Sequence, residues 1–489
     1  MTSPIIAARR ALLVTPLLVA ACVHSPPSIG GAPGAPAQPD AYWTPPPRIA
    51  AQVQRDEPSQ APTALTSAVG RLTLPDIVDL ALRNNPATRL SWAQARAAAD
   101  TYGASRGSLF PTLTADVVGT RTRALAAPGR PAGERTQYGP SFGLSWLVLD
   151  FGGRSGSIDA ARQTAIAADL SHNVAVQNTI LQVELALFDY LATRALRDAA
   201  RVSVDEARAS LNAAEERRRV GLATIADVLK ARTALSQTQL TLESFEGGML
   251  VAQGGLAVAM GLQANASYEV PNLPDAPPPD SLHGVTQSVD TLIAVAARMR
   301  PDLAAVRAEA AAAAADVRIA RSALMPSISF NAVGGYTGSD VPTFRGRTYT
   351  IGLGFDLPVF SGFSREYSVR AATAELDAAR ARTDLTRQQV ALQVFTAYYT
   401  LQTATERVRT AADLLASATE SESVARGQYR EGVGSIVDLL IAQSALAEAR
   451  AQNVQARWQW RGSLAQLAHD VGVLGLRGEV LSPVGTENR

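Results

Sequence analysis

The sequence predicts a mainly α-helical chain with a β-barrel portion that a single copy cannot close. Three observations lead there. Proline is absent from Ser141 until Pro271 and again from Val359 to Ser482. The first of these runs is mostly Ala, Leu, Val, Arg, Glu and Gln, largely good helix formers, and the second repeats the pattern. Ahead of each run the apolar period changes from 3.6 to 2, the period of a strand. Finally, the chain matches itself: Ala81, Arg83 and Pro86 pair with Ala296, Arg298 and Pro301, and Arg106, Leu109 and Pro111 with Arg321, Leu324 and Pro326, all 215 residues apart.

Residues 1–21 read as a cleaved signal peptide. Arg9 and Arg10 precede an apolar run, Ala11 to Ala21, that is too short to span a bilayer. The run closes Val19-Ala20-Ala21-Cys22, which resembles a bacterial lipobox, so Cys22 is expected to carry diacylglyceryl and palmitoyl chains as the mature N-terminus. Residue 23 is Val rather than Asp, so the retention signal for the inner membrane is absent. Several acyl chains anchor stably, each buried methylene contributing about 0.8 kcal/mol. Residues 22–70, rich in Pro, Gly, Ala and Gln, read as a tether.

Two repeats follow, 71–270 and 285–475, separated by the proline-rich linker 271–284 and trailed by a tail, 476–489. Each opens with a short helix, a proline break and a second helix ending at Leu-x-Pro. The first copy then alternates Leu113, Ala115 and Val117 with Thr112, Thr114 and Asp116, and Tyr138, Phe142, Leu144 and Trp146 with Gly139, Ser141, Gly143 and Ser145. The second alternates Ile328, Phe330 and Ala332 with Ser327, Ser329 and Asn331, and Tyr349, Ile351, Leu353, Phe355 and Leu357 with Thr348, Thr350, Gly352, Gly354 and Asp356. These are strands at about 111–121, 138–149, 326–336 and 348–358, joined by loops Arg121–Gln137 and Gly335–Arg347. A half-buried soluble sheet alternates in the same way. A membrane barrel fits the context better, with apolar faces to lipid and polar faces to a wet lumen. No apolar helix of about 18 residues is present, and only helices and closed barrels satisfy every backbone group in a bilayer. Four strands need other chains to close: two chains give eight, three give twelve.

Each repeat then enters a helical hairpin, 153–262 or 364–473. Gly153 to Val220 reads as one helix; some 65 residues at 1.5 Å each make a rod of roughly 100 Å. Ser364 to Gln428 reads as its counterpart, with a seam of Val390, Val394, Ala397, Leu401, Ala404, Val408, Ala411, Leu415 and Ala418 stepping by 4 and 3. The first rod has two adjacent stripes, Val183, Leu187 and Tyr190 beside Leu181, Leu185 and Phe188, as for a helix with neighbours on both sides. At the rod ends, Arg219 to Leu229 aligns with Arg430 to Leu440. Gly221 and Gly432 can end one helix, and Thr224 and Ser435 can start the next. The chain turns back there and the returning helix pairs antiparallel with its rod. Asp227 and Asp438, in the first turns, also suit a helix N-terminus.

Composition excludes several functions. The net charge is +1, or −1 without Arg9 and Arg10, and no basic face is clustered for nucleic acid. Cys22 is the sole cysteine, so no internal disulfide forms. His24, His172, His283 and His469 hold no metal spacing, and no HExxH, Walker or GxSxG motif occurs. Gly152 to Gly156 is glycine-rich but lacks a phosphate-holding lysine. Neither an enzyme nor a cofactor protein is expected.

Jointly, the two-fold repeat, the Leu-x-Pro strand starts and the Gly-x-x-x-x-x-Asp-x-Leu tips resemble the TolC-like outer membrane factors, and among them the NodT-type efflux lipoproteins, over roughly residues 70–475. The resemblance implies a homotrimer with a 12-stranded barrel in the outer membrane and a long antiparallel coiled-coil α-barrel through the periplasm. It implies a periplasmic adaptor and an inner-membrane pump, most often of the resistance–nodulation–division type, with the channel a passive exit duct for small molecules. It also implies a gate at the tips: Asp438 as an aspartate ringing the entrance, with Tyr429 and Asp227 in contacts that hold it shut. Gly434 stands where some members have an arginine, and Ile441 where some have a second aspartate, so Ile441 can form an apolar constriction instead. The tips, Gly221, Leu222 and Thr224 with Gly432, Val433 and Ser435, are the expected adaptor contacts. A duct for secreted polypeptides and a purely structural periplasmic coiled-coil lipoprotein are the alternative readings.

Overall fold

The computed structural model describes residues 73–123, 133–270, 287–342 and 345–474, all within one compact unit, Gly70–Arg489. The signal peptide, Cys22, the tether, the linker 271–284 and the tail 476–489 lie outside the described residues.

Helix α1 (Leu74–Asn84) starts at a capping box, in which Thr73 and Asp76 satisfy each other's backbone N–H. Asn85 ends α1 and caps α2 (Pro86–Arg106), whose proline sits in the first turn, where no N–H is needed. After a short 3₁₀ turn come β1 (Thr112–Arg123) and β2 (Glu134–Leu149). Helices α3 (Gly153–Arg219) and α4 (Ile225–Ala259) form the first hairpin. The order then recurs with α5 (Val289–Met299), α6 (Pro301–Ser322), β3 (Ser327–Ser339), β4 (Gly346–Asp356), α7 (Ser364–Glu431) and α8 (Ile436–Val471).

The strands form one antiparallel sheet in the order β1-β2-β3-β4. Its register puts the apolar residues in rows. Ala115 faces Phe142, Leu144 faces both Leu113 and Ala332, and Phe330 lies between Trp146 and Leu353. That face is bare in the single chain: Leu113 is 72% exposed, Val117 84% and Leu353 74%. The opposite face carries Thr112 against Ser145, Asp116 against Ser141, and Asn331 between Ser145 and Gly352. Among the described residues β1 and β4 are open edges.

The strands run further than the sequence pattern placed them. Arg121–Arg123, Glu134–Gln137, Gly335–Ser339 and Gly346–Arg347, read as loops, belong to the ladders. Polar pairing carries them on after the apolar alternation stops: Arg121 meets Glu134 at 2.7 Å, and the Thr136 N–H donates to Asp340 at 3.0 Å. At the other end β4 stops at Asp356 rather than 358, just before Pro358. The hairpins are also shorter than 262 and 473, because Gly261 (φ +75°) and Gly472 (φ +85°) turn left-handed where the helices finish. A Cβ on Gly472 would lie 3.1 Å from the Arg300 nitrogen.

The seam on α7 is buried at Val390, Val394, Ala397, Leu401, Ala404, Val408, Ala411 and Ala418, with Leu415 partly so. It packs on α8, and near the sheet end also on Leu292 and Ala296 of α5. The two stripes of α3 have their neighbours: α3 contacts α2, α4, α6 and α8. Val183, Leu187, Tyr190 and Leu181 are buried, whereas Leu185 is 38% exposed. No described helix is long and apolar enough to cross a membrane.

Candidate functional site

The two hairpin turns are built alike from local rules. In the last turn of α3, Arg217, Arg218 and Arg219 meet the negative end of the helix dipole. Gly221 then adopts φ +79°, and the Leu222 N–H returns to the Arg217 carbonyl at 2.7 Å. In the last turn of α7, Gly432 adopts φ +81° and the Val433 N–H reaches the Gln428 carbonyl at 3.0 Å. Both are glycine C-caps, in which a side chain would strain the backbone. Gly434 is tightly placed: a Cβ there would sit 2.9 Å from that of Gln428, so any side chain would force this turn to shift.

Thr224 and Ser435 cap the returning helices. The Asp227 N–H donates to Thr224 Oγ1 at 3.2 Å, and the Asp438 N–H to Ser435 Oγ at 3.2 Å. Asp227 completes a capping box by accepting from the Thr224 N–H (2.9 Å) and hydroxyl (2.8 Å). These bonds, the backbone one foremost, hold its carboxyl below the usual aspartate range. Asp438 accepts from the Ser435 hydroxyl at 2.7 Å and is otherwise open to solvent.

Tyr429 joins the two hairpins. It is 7% exposed and packs with Ile436 and Leu439 and against Ala213 of α3. The Arg217 guanidinium lies 4.4 Å from its ring centroid, and the same group donates to the carbonyls of Tyr429 and, at 2.9 Å, of Arg430. The hairpins are therefore tied through the ring and main chain of Tyr429. Its hydroxyl is buried without a hydrogen-bond partner among the described residues, rather than bonded to Asp227. Burial pushes the phenol up, Arg217 opposes, and Asp227 adds to the rise.

Further along the rods a polar ladder crosses three helices. Ser210 of α3 donates to Gln443 of α8 at 3.1 Å, and Gln443 to Glu422 of α7 at 3.4 Å. Glu422, 3% exposed, is gripped by Arg426 at 2.9 and 2.7 Å. Glu206 of α3 takes both arms of Arg450 of α8, at 2.8 and 3.0 Å, with Arg426 at 3.7 Å. Sequence reading named neither Arg217 nor this ladder. Arg217 is one of three arginines in the last turn of its helix, and Glu206 and Arg450 are separated by 244 residues.

Apolar side chains are bare at the tips, beside the exposed charges of Arg219, Arg430 and Glu431. Leu222 is 75% exposed, Val433 80% and Ile441 63%. The structure thus gathers Gly221, Leu222, Thr224 and Asp227 on one turn, and Gly432, Val433, Ser435, Asp438 and Ile441 on the other, with Tyr429 between the hairpins. The bare apolar residues of the tips lie near a tie of two hydrogen bonds from the Arg217 side chain to main-chain carbonyls of the other hairpin.

Comparison with known proteins places this geometry. The model of the family described as "Outer membrane efflux protein" matches residues 77–262 and 292–473, three quarters of the chain. The chain belongs to the outer membrane efflux protein family. Among curated relatives, Protein CyaE of Bordetella pertussis is 28% identical over 408 residues, 83% of this chain and 85% of that one. The toluene efflux pump outer membrane protein TtgC of Pseudomonas putida is 26% identical over 412 residues, 82% of this chain and 81% of its own. Among solved structures, the outer membrane protein VceC of Vibrio cholerae superposes with a TM-score of 0.73 at 19% identity, over 82% of this chain and 96% of that one. The fold is thus that of the outer membrane channels, with a helical barrel and a β-barrel portion. As a member of this efflux family, the chain is an outer membrane channel that extends into the periplasm, the exit duct of an efflux system.

Proposed function

We propose that this chain assembles as a homotrimer, with four strands from each copy closing a 12-stranded barrel and the hairpins forming a tunnel below it. The observation that carries this reading is the open sheet, apolar on one face and polar on the other, with edges at β1 and β4 that are unpaired among the described residues. A bilayer does not tolerate unpaired strand edges, so the edges pair with further copies. The number three comes from the TolC-like resemblance.

The trimer conducts passively and carries no catalysis of its own. A periplasmic adaptor docks at Gly221, Leu222, Thr224, Gly432, Val433 and Ser435, and an inner-membrane pump of the resistance–nodulation–division type supplies the energy. Small molecules are the cargo; the pump that TtgC serves exports toluene, a molecule of that size. Asp438 and Ile441 line the constriction, and Tyr429 with Asp227 and Arg217 hold it narrow. Cys22 carries the diacylglyceryl and palmitoyl anchor, which intact mass of the purified protein checks.

A photo-crosslinking residue at Leu222 or Val433 tests the docking. Adaptor is expected to be captured from either tip and not from Leu240, 58% exposed on the flank of α4. Capture from Leu240 alone would overturn tip docking.

A further inference from the structure

On the apolar face of the sheet, both edge strands pass from aliphatic residues to the level of a tyrosine and then to arginine. Tyr138 lies opposite Gly119, Tyr349 opposite Gly334, and Tyr336 is two residues beyond Gly334 on that face. All three rings are open: 57%, 83% and 51% exposed for Tyr138, Tyr349 and Tyr336. Beyond this girdle the same face carries Arg121, two residues past Gly119, then Arg123, and on β4 Arg347, paired with Tyr336. At about 3.3 Å per residue, Arg121 stands roughly 7 Å past Tyr138, and Arg347 is level with Tyr336 and two residues past Tyr349. Tyrosines on a lipid-facing surface sit at headgroup level, so these guanidiniums lie among or just above the headgroups.

The charge there is unbalanced. Arg121 and Arg123, each 72% exposed, share Glu134 at 2.7 and 3.7 Å. Among the described residues Arg347 meets no carboxylate and is exposed. Arg121 and Arg123 on β1 thus share one carboxylate, and Arg347, on the opposite edge strand, has none among the described residues. A guanidinium fork fits phosphate oxygens in a bidentate geometry.

We propose that Arg121, Arg123 and Arg347 form a docking surface for phosphate-bearing lipid headgroups of the membrane leaflet at the hairpin ends of the sheet. Repeated around a closed barrel, the surface would fix the channel's depth against an anionic leaflet. The inference rests on the apolar face meeting lipid, not on the cargo or the gate.

The test uses the full-length protein in detergent, with binding of bis-phosphorylated lipid A and of the same lipid stripped of phosphate read by native mass spectrometry. At least tenfold tighter binding of the phosphorylated form is expected. The triple change Arg121→Gln, Arg123→Gln, Arg347→Gln should abolish that preference, and the triple change to Lys should keep part of it. Equal preference in the wild type and the Gln variant, with both inserted and heat-modifiable to the same extent, would overturn the proposal. So would competition by millimolar inorganic phosphate, which would mark a free-anion site. Loss of insertion in the Gln variant alone, rescued by phosphorylated lipid, would also support it; loss in both the Gln and Lys variants, unrescued, would assign these residues to folding instead.

Discussion

Arg217 is the residue on which the tip geometry turns. It stacks on Tyr429 and donates to two carbonyls of the opposite hairpin. Hydrogen bonds from a charged group contribute about 1.5–3 kcal/mol, enough to bias a closed state that a docking partner still opens. Arg217→Ala is therefore expected to raise single-channel conductance, and Arg217→Lys to raise it nearly as much, since an ammonium cannot fork between two carbonyls while lying over a ring. Wild-type conductance in the Ala variant would show that the tie does not restrain the pore. Asp227 acts on its own helix. Its folded carboxyl titrates below the ordinary value, so the cap it forms is at full strength above about pH 4 and is lost as pH falls further through the folded value. Asp227→Asn should speed amide exchange in the first turn of α4 more at pH 7 than near pH 3. Equal effects at both pH values would mean that the charge contributes nothing to the cap.

At the scale of elements, the sheet's two faces make opposite predictions. Leu353 is 74% exposed on the apolar face, and Leu353→Arg should impair membrane assembly, by about 2–4 kcal/mol if the position is near the midplane. Thr350, on the polar face, should accept Arg with assembly intact as judged by heat-modifiable migration. The reverse outcome would invert the sheet. Much of this was readable in the sequence, because periodicity reports burial. The α7 seam from Val390 to Ala418 is buried as its 4–3 spacing implies, and the helix stops follow from Gly221 and Gly432. The strand ends were not readable. Arg121, Arg123 and Glu134 break the alternation yet pair across the ladder, and a polar pair carries no hydrophobic period. Arg217 was hidden for a related reason: its partner is 212 residues away, and its neighbours Arg218 and Arg219 gave it a sufficient local explanation. The ladder from Ser210 through Glu422 to Arg450 is likewise a product of three helices meeting, which no single stretch records.

On the scale of the whole molecule, a single chain leaves its own surfaces unfinished. The sheet has open edges, and the long helices expose Leu392 (65%), Phe395 (48%) and Tyr399 (45%) beside a groove lined by α3, α7 and α8. Further copies would cover both at once, in lipid for the sheet and along the rods for the helices. Such an assembly is expected to be a pore narrowed at its hairpin tips. The direct measurement is the single-channel conductance of the purified protein in a planar bilayer, wild type beside Asp438→Ala. Discrete small currents that grow and lose cation preference in the variant are predicted. Identical current and selectivity in the two would remove the constriction from Asp438, and a folded, inserted assembly that passes no current with either sequence would contradict the pore itself.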